Sequence, residues 1–343
     1  MHSLRALRSL LLPITIAAVC ACGPPPAAPT EMPPPEPDPA GPTYQTAVRV
    51  VSALEPLLGL SLATMTVGTG VERQIDASGG SVIVTKAPGT VPLVVRHPAF
   101  LERETRVKVP ADRLVDLSLI PSTLDFAAFE EFAPRANGLR RWTSNPRLVV
   151  LTHAVDFSGA ALGFLDYPVI DRRMSDAQLN CLASGIAASL EDMSGGHLSW
   201  SAVGIQEVVP GSRFRTDQTP EGTIVVLPAI SLGAGGRGTA YSGADSSVLT
   251  RGAVWMSVEG QNFCLTSLLY RHELGHALGY LHVTRRLSIM GVGLPPALTD
   301  FDRHVIEILF QRPPGTRTPD RDPSGASVNA VRRAVPSSAE PLR

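Results

Sequence analysis

The chain lacks an excess of either charge. Thirty Lys and Arg stand against 31 Asp and Glu over 343 residues, a formal net charge of −1. The Arg pairs at 140–141, 285–286 and 332–333 are isolated. No basic stripe is available for a phosphate backbone, so no nucleic-acid partner is expected. Cysteine is scarce, at four, too few for a disulfide-framework protein. Beyond the N-terminal 22 residues no apolar run is long enough to span a bilayer. No GxSxG or comparable nucleophile setting occurs, which speaks against a serine hydrolase. No internal repeat is present, which removes solenoids and propellers. What remains is an ordinary apolar content of 44%, enough for a real core in one large domain or two modest ones.

Residues 1–22 read as an export signal. MHSLRALRSL carries Arg5 and Arg8, and the apolar LLLPITIAAV follows, too short for a stable membrane span. The stretch VCAC (19–22) resembles a bacterial lipobox, which implies that Cys22 becomes the lipidated first residue of the mature protein. Ala21 before Cys22 fits that pattern better than Val19 before Cys20, and Gly23 is not the Asp associated with inner-membrane retention. The expected location is the cell envelope, as an outer-membrane lipoprotein, periplasmic or surface-exposed, touching the membrane through its lipid anchor only. The alternative is a cleaved signal peptide with incidental cysteines and a secreted protein. GPPPAAPTEMPPPEPDPAGP (23–42) follows as a Pro-rich linker, extended at about 3.1 Å per residue. The sequence carries no oligomer signal.

From residue 43 to 121 the pattern is period-2. LSLATMTVG, GGSVIVTK, TVPLVVRHP, ETRVKVP and RLVDLSLIP are predicted strands, which suggests a small all-β sandwich. Its strand spacing and HPAF turn resemble the carboxypeptidase-regulatory-like, transthyretin-type sandwich; His97 belongs to that turn. Residues 122–312 alternate differently. A helical period appears in LDFAAFEEF (124–132), a strand in RLVVLTHAV (147–155), and a helix over 175–196 capped by Ser175 and ended by a Gly pair. LSWSAVGIQEVVP, EGTIVVLPA, GRGTAYSG and GAVWMSVEG read as four more strands, FCLTSLLYRHELGHALG as a helix, and LTDFDRHVIEILF (298–310) as another. The order is α+β. Residues 313–343, rich in Pro, Ser and charge, are expected to be a disordered tail.

The chemistry concentrates in HELGHALGYLH (272–282). His272 and His276 are four apart, so on a helix they share one face and can meet one ion at ~2.0–2.1 Å. Glu273 need not bind the ion; it can take a proton from water beside it. A third ligand cannot reach from the same straight helix. Gly279 permits the positive φ that ends the helix and turns the chain back, so His282 can return as that ligand. Five fixed positions match by chance on the order of 1 in 10⁵, so chance does not explain them. Cys181 and Cys264 are the cysteines left after targeting. In an oxidising compartment they form one disulfide, or they stay as two buried thiols.

This pattern, H-E-x-x-H-x-x-G-x-x-H followed by a Met-turn, resembles the metzincin zinc proteases, with Met290 in RLSIMGVG at a spacing like that of the matrixin branch. The resemblance covers roughly 145–312, with its specific part at 272–290. It implies a twisted mixed sheet, an active-site helix and a C-terminal helix. It implies one catalytic Zn²⁺ held by His272, His276 and His282, Glu273 as general base, and Met290 as an apolar floor. A protein or peptide substrate then adds as a strand along the sheet edge, for which GRGTAYSG is the candidate with GAVWMSVEG inside it. Segment 283–296 helps wall the pocket beside the scissile bond. The helices bearing Cys181 and Cys264 are neighbours in such a fold, which favours the bridge. No tyrosine follows Met290, no calcium loop is evident, and no cysteine-switch segment lies upstream.

The expected activity is therefore a zinc-dependent endopeptidase at the cell envelope. Two rivals stand beside it. One is a non-catalytic zinc-containing lipoprotein that binds or scaffolds through its sandwich; an intact Glu273 argues against it. The other is a purely structural helix, which explains neither the three histidines nor Gly279. His153, His197 and His304 read as surface or satisfied core groups.

Overall fold

A computed structural model of the chain describes residues 41–158, 166–233, 235–242, 247–259, 267–291, 293 and 295–328. The signal region with Cys20 and Cys22, nearly all of the linker, and Cys264 lie outside the described residues. The architecture is α+β.

Seven strands build the first part: β1 (Tyr44–Ser52), β2 (Thr64–Val67), β3 (Arg73–Gln74), β4 (Gly80–Thr85), β5 (Gly89–Arg96), β6 (Arg103–Val109) and β7 (Val115–Leu119). They form two sheets, ordered β4-β1-β7 and β3-β2-β5-β6. The alternation in RETRVKV turns Arg103, Thr105, Val107 and Val109 inward. Val48, Val50, Ile83 and Leu117 of one sheet meet Met65, Leu93, Val95 and Val107 of the other in one core. Each such side chain contributes about 1.5–3 kcal/mol when fully buried. β1 was not among the predicted strands, and it pairs parallel with β7. The HPAF turn is present, with Ala99 N–H donating to His97 Nδ1 at 3.1 Å.

The second part contains α1 (Phe126–Phe132), β8 (Arg147–Leu151), β9 (His153–Asp156), β10 (Asp166–Arg173), α2 (Asp176–Ser194), β11 (Ala202–Gln206), β12 (Arg213–Arg215), β13 (Thr223–Ile230), β14 (Gly236–Ser242), β15 (Leu249–Ser257), α3 (described over Ser267–Ala277) and α4 (Asp300–Phe310). The sheet runs β11-β8-β13-β15-β14; all neighbours are parallel except the last pair. Its strands read as near-continuous apolar runs because both faces are covered. Leu148, Val150, Ile224, Val226, Val254 and Met256 face the helices. Val149, Leu151, Val225, Leu227, Ala253 and Trp255 face the other way, under Tyr167 and Phe157. Ser175 caps α2 in a capping box with Gln178, and Gly195 ends it at φ 59°. The expected single strand over 147–155 divides at Thr152: β13 pairs with β8 along its first half and with β9 at its end.

Residues 313–328 correct the expectation of a disordered tail. The chain leaves α4 and returns to β6, where Glu104 N–H donates to Asp320 O (3.0 Å) and Val328 N–H to Arg106 O (2.8 Å). Val328 joins the sandwich core. Arg312 donates to both Asp320 carboxylate oxygens at 2.7 Å and to Ser118 Oγ at 2.7 Å. Arg103 donates to Asp322 at 2.8 Å, and that carboxylate also accepts from Thr105 and Thr316. Composition misleads here because charge normally signals solvent. These charges are buried and mutually paired, the condition under which burial is tolerated. Residues 313–328 therefore pack on β6 instead of trailing from α4. Residues 329–343 lie outside the described residues.

Candidate metal centre

α3 turns Tyr270, Leu274 and Ala277 into the core against α2 and the sheet. His272 and Glu273 are buried, and His276 is half-buried one turn further on. The helix stops in a Schellman arrangement: Tyr280 N–H donates to Gly275 O (2.9 Å) and Gly279 N–H to His276 O (3.0 Å). Gly279 sits at φ 96°, a conformation that side-chain-bearing residues rarely adopt. Trp142 Nε1–H satisfies the Ala277 carbonyl at 3.0 Å. The reversal brings His282 back beside the helix.

The three imidazoles converge. His272 Nε2 lies 3.2 Å from His276 Nε2 and 3.2 Å from His282 Nε2, and the last two are 3.1 Å apart. His272 Nδ1–H donates to the Ile289 carbonyl (2.7 Å) and His276 Nδ1–H to the Tyr280 carbonyl (2.8 Å). These bonds fix the tautomer, so both Nε2 lone pairs face the shared point. Burial holds the His272 imidazolium below its ordinary range, opposed by the Ile289 bond. Burial, opposed by the bond to Tyr280, pushes His276 down to about 4. Both shifts favour the neutral ring, the form that binds metal. With these two lone pairs turned inward, His282 Nε2 either donates a proton to them or adds a third lone pair for an ion. A tetrahedral ion with nitrogen ligands at ~2.0–2.1 Å spaces them about 3.3–3.4 Å apart, close to this triangle. The triad could hold one metal ion.

Glu273 stands beside the triad in the same helix. Burial pushes its carboxyl up to about 8, and the nearby Arg237 pulls the other way. A carboxyl in that range can give or take a proton near neutral pH.

Below the helix lies Met290, fully buried. A Cβ on Gly275 would come within 2.5 Å of its Sδ, so the glycine lets the methionine pack directly against the helix. The turn carrying Met290 hangs on Asp302 of α4. Asp302 accepts from Ser288 Oγ (2.5 Å), Ile289 N–H (3.0 Å) and Thr299 N–H (2.8 Å). Ile289 is the residue whose carbonyl orients His272, so Asp302 acts on the centre at one remove. Above the helix, β14 is pressed against it. A Cβ on Gly236 would meet Glu273 Cγ at 2.7 Å, and one on Gly238 would meet the Glu273 carbonyl oxygen at 2.0 Å.

Of the residues expected at the site, His272, His276 and His282 converge, with Glu273 in the same helix, Gly279 at its end and Met290 against Gly275. Cys181 is disulfide-bonded, and its Sγ lies 3.8 Å from the Tyr270 hydroxyl of α3. Cys264 and the lipidation candidate Cys22 are outside the described residues. The other histidines stand apart. His197 pairs with Glu307 at 3.1 Å, His153 is buried beside Thr152, and His304 is exposed on α4. Sequence reasoning missed Asp302, Gly236, Gly238 and Gly275. The capping box TDFD was a signal for Asp302, and the GRG triplet for a close approach. Set against known proteins, the chain matches no family model and no curated sequence.

Proposed function

We propose that the chain is a zinc-dependent endopeptidase of metzincin type. It works at the cell envelope, on protein or peptide substrates, behind a lipid anchor at Cys22. The observation that carries this reading is the convergence of His272, His276 and His282 Nε2 within 3.2 Å, with Glu273 in the same helix. All three donors are imidazole nitrogens, a set that would suit zinc and would leave it a further coordination position. The mixed sheet with its antiparallel edge strand β14, the helix α3 and the closing helix α4 support the same reading.

Bound zinc supplies Lewis acidity, which makes water a usable nucleophile near neutral pH and polarises a carbonyl. The chain's own groups do the rest. Glu273 takes the proton of the attacking water and hands it to the departing amine. Its burial excludes competing solvent and keeps its basicity high. Ile289 and Tyr280 hold two rings in position through their carbonyls. β14 offers its outer edge to an extended peptide, which would pair with it as a further strand.

The test is an unbiased peptide library incubated with the zinc-loaded chain, with a chelator, and with zinc restored. Cleavage that a chelator abolishes and zinc restores is the expected result. Metal uptake without any cleavage would leave a binding protein instead.

A further inference from the structure

Strand β14 carries a cation that the site chemistry does not use. Its side chains alternate. Gly236 and Gly238 turn toward α3, where a Cβ would strike Glu273, and Ala240 packs on the helix-side core. Arg237, Thr239 and Tyr241 therefore face the other side of the sheet. Tyr241 packs on the aromatic cluster there, with its hydroxyl 3.0 Å from Thr216 Oγ1. The Arg237 guanidinium carbon lies 5.7 Å from the Phe157 ring centroid.

Arg237 differs from its neighbours. Arg213 pairs with Asp166, Arg215 with Asp217 and Arg251 with Glu221. Among the described residues no carboxylate lies within ion-pair distance of Arg237, although it is half-buried on the strand above the triad. Its charge reaches both Glu273 and His276. Among the described residues β14 pairs only with β15, and none pairs with its other edge.

We propose that Arg237 selects an acidic side chain in the bound peptide, so that this chain cleaves extended segments with an Asp or Glu close to the scissile bond. The inference rests on the endopeptidase reading and deepens it. A peptide added to the β14 edge places every second side chain on the outer face. A directly opposed pair then has Cβ atoms about 4.5–5.5 Å apart, within reach of a guanidinium. The planar fork of Arg237 can take a carboxylate with two parallel bonds, and Phe157 holds it from below. A basic side chain at that position is repelled.

The test uses the full zinc-loaded chain and peptides that differ only in Glu, Gln or Lys at the positions flanking the cleaved bond. At one outward-facing position we expect Glu over Gln in kcat/KM by about ten- to hundredfold. The ratio falls to about one in Arg237→Gln, is partly kept in Arg237→Lys, and inverts toward Lys in Arg237→Glu. Equal cleavage of Glu and Gln peptides at every position overturns the inference, as does a preference that survives Arg237→Gln. The same peptides are titrated against Glu273→Gln by fluorescence anisotropy. Charge-selective binding that depends on Arg237, without cleavage by the parent, would sink the endopeptidase reading and uphold the role of Arg237. Neither cleavage nor charge-selective binding would sink both.

Discussion

Replacing Gly238 with alanine drives a methyl group into the backbone of α3. The added Cβ would lie 2.0 Å from the Glu273 carbonyl oxygen and 2.7 Å from His276 Cβ, where ordinary contact begins at 3.4 Å. Strand and helix must part by about 1.4 Å (3.4 − 2.0). No side-chain rotation relieves this. β14 is paired with β15 from Gly236 to Ser242, and α3 is wedged between α2 and the sheet. Overpacking costs about 1–3 kcal/mol, and a backbone contact on both sides puts Gly238→Ala near the top of that range. Gly236→Ala is a sharp contrast. Its Cβ would meet Glu273 Cγ at 2.7 Å and Oε1 at 3.0 Å, atoms of a side chain that can swing aside. Stability should fall by about 1 kcal/mol or less, while the displaced carboxylate loses turnover by about 10²-fold or more. Guanidinium unfolding, metal content and peptide turnover on the two variants read these effects separately. An unfolding midpoint for Gly238→Ala equal to the parent's would mean that β14 does not lie against α3, and the placement of Glu273 would fail with it.

Further outcomes follow from the same contacts. Gly279→Ala forces a side chain onto φ 96° and a Cβ to within 2.7 Å of Leu249; we expect a loss of about 1–3 kcal/mol, with metal affinity falling as His282 is displaced, read by competition with a zinc dye. Asp302→Ala strips buried partners from Ser288, Ile289 and Thr299; metal affinity should fall about 10–100-fold, although Asp302 touches no histidine. Burial disfavours the Asp322 carboxylate, but Arg103, Arg312 and the Thr105 and Thr316 hydroxyls outweigh it and hold its pKa below the usual range. A depressed folded value means that this stabilisation is complete above the unfolded value of ~3.9 and is lost as pH falls through the folded one. Acid unfolding followed by circular dichroism should therefore flatten below pH ~4 in Asp322→Asn, which also loses about 3–5 kcal/mol at neutral pH by leaving Arg103 and Arg312 underpaired.

The part of the centre legible in the sequence is the part set by local spacing. Residues four apart on one helix, a glycine three later and a histidine three beyond that are short-range facts, and the geometry of 272–282 follows from them. The capped helix over 175–196 was legible for the same reason: Ser175, Gln178 and the Gly pair act within a few residues. The supports were hidden because they act across the fold. Asp302 reads as a first-turn acid of α4 until Ser288 and Ile289 are seen on its carboxylate. Gly236 and Gly238 carry no side chain to announce that a helix lies against them. The segment 313–328 reads as solvated because Arg312, Asp320 and Asp322 find one another, and Arg103, only in three dimensions. β10 was missed because Pro168 and its charged C-terminal half break the apolar pattern.

Metal content and turnover, measured together on the parent and on Glu273→Gln, test the central claim most directly. The account predicts one zinc per chain in both proteins, with peptide cleavage falling by about 10²–10⁴-fold in the variant. No zinc in folded parent protein would contradict the triad. Equal cleavage by both proteins would contradict the role of Glu273.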